Sequence, residues 1–429
     1  MNFVKIAIAG IGTVGSGFLK IFEKNQKLFE KKTNCKINIS AIASRADFNS
    51  KNFRNSKIFR NAKQLMTFDD YDILIELIGG DEGVAKDIVF NALEKKKHVI
   101  TANKALISKY GNELSKLAKK NKCNIGFEAA VAGGVPIISI LKEFLISNTI
   151  SKVSGILNGT SNFILSKMLD SKKDFQTILS TAQKLGYAEA DPSYDIDGTD
   201  TAHKLAIISS LAFDSVIDLE SIYISGIKEI DLIDLKFADS LGYKIKLIGI
   251  TQKIKNKIIQ FVYPSLINKK SEIANVDDVY NGIFVESDFS NKLFLQGEGA
   301  GAYSTATSIF SDIEKVYKSK KFFFFSLNNS HLKKRKKISI SERFGSYYLR
   351  FTTIDKPGVI ADISKEFKKF QISMKTMLQE DVKSKKQENA TIVVTTHDCF
   401  EKNMNNALTK INSLSVIVKK TIYYRIESF

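Results

Sequence analysis

Through the first 130 residues, short apolar runs bounded by glycines or polar turns alternate with segments of helical period. Residues 5–10, 37–44, 71–78, 98–101 and 124–128 are too short for helices and read as strands buried on both faces. Phe18, Leu19 and Phe22 fall on one helical face, as do the apolar positions of 85–93. Strand and helix in alternation predict an α/β unit with a doubly wound parallel sheet. After residue 150 the pattern changes: 152–157, 244–253, 257–263, 282–287 and 293–296 read as strands of a mixed sheet. A glycine-rich turn, Gly297 to Gly301, leads into a helix over 302–317. From Ser346 the order is strand (to 353), helix (359–370), strand (372–379), strand (390–396), helix (401–411) and strand (416–425). That βαββαβ order in so short a span is ferredoxin-like.

These shifts divide the 429 residues into an α/β unit over 1–145, completed by about 298–317, an α+β mixed-sheet unit over 146–297, a linker over 318–345 and a last unit over 346–427. The linker holds Phe322 to Phe325 and the basic run Lys333 to Lys337. The four phenylalanines should be buried against a neighbour, and the basic run should be solvated.

Composition adds mostly exclusions. Three scattered cysteines, Cys35, Cys123 and Cys399, argue against a disulfide scaffold and a zinc site and fit a reducing cytoplasm. No run is long enough to span a bilayer, and the apolar start is too short for a secretory signal. The net charge of +18 is spread along the chain in a sequence rich in Ile, Asn and Phe and without Trp. That pattern fits a biased genome composition, with no nucleic-acid or membrane partner expected.

Two stretches carry candidate chemistry. The first strand ends in Gly10-Ile11-Gly12-Thr13-Val14-Gly15 before a helix. Gly10 allows the tight turn, Gly12 close approach of a pyrophosphate, and Gly15 packing of the helix on the strand, so this is a dinucleotide site of Rossmann type. No acid stands near the end of the second strand. Ser44 and Arg45 do, and an arginine there favours NADP, with NAD open and a solvated Arg45 equally open. Lys104 follows the strand ending at Thr101, where cofactor and substrate would meet.

The second stretch, Ala182 to Lys204, gathers Glu189, Asp191, Asp195, Asp197, Asp200 and Lys204, broken by Pro192 and Gly198 and followed by the apolar run from Leu205. It reads as an acidic loop entering a buried helix. Asp200 and Lys204, four apart, share a face. Acids able to hold an ammonium group then lie beside a lysine able to protonate an alkoxide. Alone, a solvated loop with an ordinary ion pair fits as well.

The spacing of Ala182, Gly186, Asp191-Pro192, Asp195, Gly198, Asp200 and Lys204 resembles the signature of homoserine dehydrogenases. So do Thr101-Ala102-Asn103-Lys104-Ala105-Leu106 and the turn Asn158-Gly159-Thr160-Ser161-Asn162. The resemblance covers about 3–317. It implies reversible NAD(P)-dependent interconversion of L-aspartate 4-semialdehyde and L-homoserine. In its terms Lys204, Lys104 and Asp200 are catalytic, while Glu189, Asp200 and Asp195 bind substrate. Gly10, Gly12, Thr13, Val14, Gly15, Arg45, Lys104, Gly186 and Gly301 face the cofactor. It also implies a sodium site of Glu128 and the carbonyls of Val131, Gly133 and Val135, and a homo-oligomer, dimer or tetramer, built on the mixed sheet. Residues alone show only a small-residue hinge loop at 129–136. One departure is Gly83, where many members have proline. Asp355-Lys356-Pro357-Gly358-Val359 before a helix looks like an ACT domain, with threonine as the expected effector; a module that only dimerises stays open. Two rival readings are a related dehydrogenase of another small amino or oxo acid, and an amino-acid sensor without catalysis.

Overall fold

The computed structural model describes residues 2–48, 51–318, 332–379 and 389–429. Its first sheet has six parallel strands in the order β3-β2-β1-β4-β5-β6. They are β1 (Asn2–Ala9), β2 (Cys35–Ala43), β3 (Lys57–Phe59), β4 (Ile73–Glu76), β5 (His98–Thr101) and β6 (Ile125–Gly126). Ile6, Ala7, Ile8, Ile73, Leu74 and Ile75 have no exposed surface, as expected for strands covered on both faces. The short β3 has no counterpart among the expected strands. Helices α1 (Thr13–Thr33), α2 (Val84–Glu94) and α3 (Lys104–Asn121) join the strands. After β6 the chain passes through a loop into a short turn of helix, α4 (Ile137–Ser139).

The second sheet runs β12-β11-β7-β9-β10-β19-β15-β17-β16. Its first half holds β7 (Ile150–Ile156), β8 (Tyr223–Ile224), β9 (Tyr243–Ile254), β10 (Lys257–Asn268), β11 (Tyr280–Ser287) and β12 (Asn291–Glu298). Between β7 and β9 lie α5 (Gly159–Ser171), α6 (Phe175–Lys184), α7 (Ser193–Ile196), α8 (Thr199–Phe213) and α9 (Leu232–Ser240). Helix α8, apolar from Leu205 to Ile208 and at Leu211 to Phe213, is buried nearly all round where it packs on β7, β9 and β10, its buried Asp200, Lys204, Ser209 and Ser210 included. Helix α10 (Ala302–Lys318) then returns to the first sheet. A Cβ on Gly17 would lie 2.2 Å from the Ala302 carbonyl oxygen, and Phe18 stacks on Phe310 with centroids 4.6 Å apart.

Beyond α10 the expected linker is only partly described, and Phe322 to Phe325 lie outside the described residues. The basic run is held by its backbone rather than left loose. Lys333 and Asp214 are hydrogen-bonded through their main chains, and β13 (Lys336–Lys337) pairs with Lys257 and Ile258 of β10. The lysine side chains of β13 are exposed, but the run is not wholly solvated: half-buried Arg335 donates to the Phe213 carbonyl at 2.9 and 3.2 Å. A two-residue strand, β14 (Phe344–Gly345), pairs with β18 (Cys399–Phe400).

The last unit is β15 (Tyr347–Ile354), α11 (Val359–Lys369), β16 (Met374–Gln379), β17 (Asn389–Thr396), α12 (Glu401–Ile411) and β19 (Ile417–Glu427). The order β19-β15-β17-β16 is the ferredoxin-like one. It is not a separate sheet. Ser265, Leu266 and Ile267 of β10 pair in parallel with Arg425, Ile426 and Glu427 of β19, which makes the two sheets continuous. Buried ion pairs line the seam. Asp234 of α9, with no exposed surface, receives Arg350 Nε at 2.6 Å, Nη2 at 2.8 Å and the Tyr348 hydroxyl at 3.0 Å. Arg343 Nη2 meets Glu427 at 2.7 Å, and Arg425 Nε meets Glu401 at 3.0 Å.

Candidate active site

The glycine turn after β1 has the form that a dinucleotide needs. Gly10 has φ +102°, and a Cβ there would sit 2.7 Å from the Leu77 carbonyl oxygen. A Cβ on Gly15 would fall 2.3 Å from the Gly10 carbonyl oxygen, so this glycine lets the helix close on the turn itself. Gly12 is different: nothing lies within 4 Å of its Cβ position, which is the open ground a phosphate would take. Helix α1 starts there with no side-chain cap and no acid in its first turn, leaving its N–H groups and dipole for an anion. The residues therefore fit an NAD(P) pyrophosphate.

Gly10 N–H donates to the Ala43 carbonyl at 2.9 Å, so β2 ends beside the glycine turn. Ser44 is buried there and its hydroxyl donates to the Ala46 carbonyl, while Arg45 is exposed. Asp47 is paired with Arg60 at 2.7 Å.

At the far ends of β4 and β5, buried Glu76 accepts the N–H groups of Ile78 (2.7 Å) and Gly79 (3.0 Å) and the Thr101 hydroxyl (2.5 Å). Thr101 in turn accepts Asn103 N–H, and Asn103 donates to the Gly80 carbonyl and caps α3 through Leu106 N–H. This chain fixes Lys104 at the first position of α3. Gly83 has φ +70°, which proline cannot adopt, so this loop differs in conformation from one built on proline there. It is not loose: Lys109 bridges Asp81 at 2.9 Å and Glu82 at 2.8 Å.

The second cluster comes from β7, α5, α7 and α8. Asp200 and Lys204 lie one turn apart on α8, and Lys204 Nζ donates to Asp200 Oδ2 and to the Leu157 carbonyl, both at 2.7 Å. The other carboxylate oxygen, Oδ1, meets Lys104 Nζ at 3.1 Å. Asn158 caps α5 by accepting Ser161 N–H, which turns its Nδ2 toward the acids; it donates to Asp195 Oδ1 and Asp200 Oδ2 at 2.8 Å each. Gly198, at φ +86°, turns the chain into α8.

Burial acts to raise the Asp200 carboxyl, but Lys204 and Lys104 together overcome it and hold it well below the usual carboxylate range. Asp200 raises Lys104 in return, with smaller help from Asp195 and Glu189. Asp195 goes the other way: burial and the charge of Asp200 raise its carboxyl.

The sequence candidates therefore separate. Lys104, Asp200, Lys204 and Asp195 converge. Glu189 is exposed but close enough for its charge to act on Lys104. Gly186 (φ +75°) has open space at its Cβ position, and Gly301 (φ +140°) stands before α10 beside α1. Asn158 both caps α5 and holds two acids. Tyr194 and His203 flank the lysines: their rings are 5.4 Å apart, and Lys104 Nζ lies 5.7 Å from the Tyr194 centroid. No fixed pattern of residues marked either one.

Around the loop after β6, Glu128 accepts Ile138 N–H at 2.8 Å, Ser139 N–H at 3.0 Å and the Ser139 hydroxyl, with Lys315 Nζ 3.6 Å away. The Gly133 carbonyl accepts the Ser308 hydroxyl, and the Val135 carbonyl accepts Ile137 N–H. Ala132 holds φ +52°, a strained left-handed turn for a residue with a Cβ.

Comparison with known proteins agrees along the chain. The family model described as "Homoserine dehydrogenase, NAD binding domain" matches residues 10–128, and "Homoserine dehydrogenase" matches 136–313. The homoserine dehydrogenase of Neisseria gonorrhoeae is 37% identical over 435 residues, covering 100% of this chain and 99% of that protein. The crystal structure of a homoserine dehydrogenase from Thiobacillus denitrificans superposes with TM-score 0.93 at 36% identity, covering 100% of this chain and 99% of the other. A hyperthermophilic archaeal homoserine dehydrogenase in complex with NADPH superposes with TM-score 0.62 at 28% identity, over 73% of this chain and 98% of its own.

Proposed function

The chain belongs to the homoserine dehydrogenase family, and from that premise we propose how its residues carry the reaction. The activity is the NAD(P)-dependent interconversion of L-aspartate 4-semialdehyde and L-homoserine in aspartate-family amino-acid biosynthesis. The observation that carries the mechanism is the sharing of Asp200 between two lysines.

A bound nicotinamide supplies the hydride in the reducing direction and accepts it in the other. The chain's residues handle the oxygen. Lys204 has three N–H donors and spends two, on Leu157 and Asp200, which leaves one for the carbonyl oxygen of the substrate. As negative charge builds on that oxygen, Lys204 stabilises it and gives it a proton. Lys104 has donors to spare beyond Asp200 and orients cofactor and substrate. Asp200 keeps both ammonium groups charged and aligned. Asp195, held by Asn158 and raised by burial and by its acidic neighbour, would be relieved by a substrate ammonium, and Glu189 adds charge at the rim.

Arg45, at the end of β2 with no acid unpaired beside it, supports NADP over NAD. Sodium would be held by the backbone carbonyls of Val131, Gly133 and Val135 with the charge of Glu128 close by. Oxygen donors on one turned loop suit a hard cation, and the Glu128 carboxylate itself serves the start of α4. The unpaired, buried Cys35, Cys123 and Cys399 support a reducing cytoplasm.

In the C-terminal unit, a cavity of ≈ 290 Å³ lies at the β15–α11 turn, lined by Asp355, Lys356, Gly358, Val359 and Gln379 among others. The uncapped start of α11 can receive a carboxylate, and Asp355 an ammonium. We read it as the threonine effector site of an ACT domain. Homo-oligomers, dimer or tetramer, would use β12 or β16, the edge strands of the sheet path among the described residues.

The test is nicotinamide absorbance of the purified protein with L-homoserine and NADP+, repeated with NAD+. Homoserine-dependent reduction, faster with NADP+, is expected. A folded protein that binds dinucleotide and reduces neither would point to another oxo acid.

A further inference from the structure

Lys104 and Lys204 stand on helices that follow strands of different sheets, and their separation depends on how α3 lies against α8. The two helices are packed together, and one polar contact between them lies beside both lysines. His203, immediately before Lys204, places Nδ1 in hydrogen-bond contact with the hydroxyl of Ser108, one turn beyond Lys104 on α3. Ser108 is 4% exposed, so this contact is made in a nearly dry seam. The hydroxyl has one proton, and it is directed at the Ala105 carbonyl at 3.0 Å. With that proton on the Ala105 carbonyl, the oxygen accepts from Nδ1–H, and this is the tautomer the test below assumes. The ring itself rests on Tyr194 of α7, the aromatic face over which Lys104 Nζ stands.

We propose that His203, through its bond to Ser108, is a positioning residue that sets the Lys104-bearing helix against the Lys204-bearing helix. It acts on the reaction through the two lysines and does not touch the reacting atoms. The pair works as a latch across the cleft between the nucleotide sheet and the substrate sheet. Without it, α3 and α8 keep their apolar contacts and the Lys104–Asp200 ion pair, but lose a directional contact one turn along that holds that pair in register.

The proposal rests on the active-site reading above, and the experiment separates the two. The variants are Ser108→Ala, His203→Leu, the double variant, and His203→Asn, whose side-chain N–H can stand in for Nδ1–H. Steady-state kinetics, dinucleotide affinity by nicotinamide fluorescence and thermal unfolding are measured for each. A displacement of an ångström at reacting groups costs up to about 100-fold. Ser108→Ala and His203→Leu are each expected to lower kcat by roughly 10- to 100-fold. Dinucleotide affinity and Tm should stay near those of the parent, the double variant should be no slower than the worse single one, and Asn should restore much of the rate. Multiplying effects in the double variant, or an unchanged kcat in Ser108→Ala, would overturn the latch. If His203→Leu does not fold, Ser108→Ala decides alone. Lys204→Ala runs alongside: retained turnover there would remove the active-site reading, whereas a dead Lys204→Ala with additive latch variants removes only the latch.

Discussion

Lys104 Nζ stands 3.1 Å from Asp200 Oδ1, so a helix of the nucleotide sheet and a helix of the substrate sheet are joined by one ion pair. The other oxygen of the same carboxylate holds Lys204 at 2.7 Å. One buried acid thus fixes the distance between two ammonium groups that would otherwise repel. A site built this way fails differently at each member.

Lys204→Ala removes the group proposed to face the developing alkoxide. Turnover should fall by about 10²- to 10⁴-fold, the usual weight of a general acid. Dinucleotide binding should survive, because the glycine turn lies on the other sheet. Stopped-flow hydride transfer together with nicotinamide fluorescence would check both halves, and near-normal turnover would sink the assignment. Lys104→Ala should weaken both binding of homoserine and the rate.

Asp195 pays a stability cost for its place. Its carboxyl is raised above the ordinary value by burial and by Asp200. A raised folded-state acid is destabilising once the pH exceeds its unfolded value and recovers as the pH falls and the group protonates. Asp195→Asn should therefore raise the Tm at pH 7, by a margin that shrinks toward pH 4, while the KM for homoserine rises. Equal Tm values for the two proteins across that range would contradict the account. Asp200 has the opposite sign. Its lowered carboxyl contributes stability above the unfolded value, lost only as the pH falls through the depressed one.

Arg45→Asp should shift cofactor choice. A charged hydrogen bond is worth about 1.5–3 kcal/mol, so the preference of kcat/KM for NADP+ over NAD+ should fall by roughly 10- to 100-fold. An unchanged ratio would return Arg45 to the solvent.

At the seam between catalytic and C-terminal units, Asp234→Ala leaves the half-buried Arg350 with only the exposed Asp231, 3.6 Å away, and the Tyr348 hydroxyl without its acceptor. Breaking a fully buried pair costs about 3–5 kcal/mol, and with Asp231 still near Arg350 the loss should be smaller but readable as a lower Tm. The same variant tests regulation, because α9 also packs on α5, whose cap Asn158 holds Asp195 and Asp200. Threonine should inhibit the parent and protect it from unfolding, and inhibit the variant less. Inhibition of equal depth in both would show that the signal does not pass through this pair.

Local chemistry in the chain was enough for the elements. Five of the parallel strands, the glycine turn and the βαββαβ order of the C-terminal unit follow from apolar period and from the turn residues between runs, and the structure has them within a few residues. The residues proposed for the chemistry were legible in part for the same reason: Asp200 and Lys204 are neighbours on one helix turn, and spacing alone joins them. What needed the tertiary structure is whatever joins distant segments. That Lys104 reaches Asp200, that Asn158 turns its amide to two acids at once, that His203 meets Ser108, and that β19 extends the sheet of β10 are contacts between residues tens to more than a hundred positions apart. Periodicity encodes which face of an element is buried, not which partner buries it. Those partners are set only when the two sheets and their helices pack.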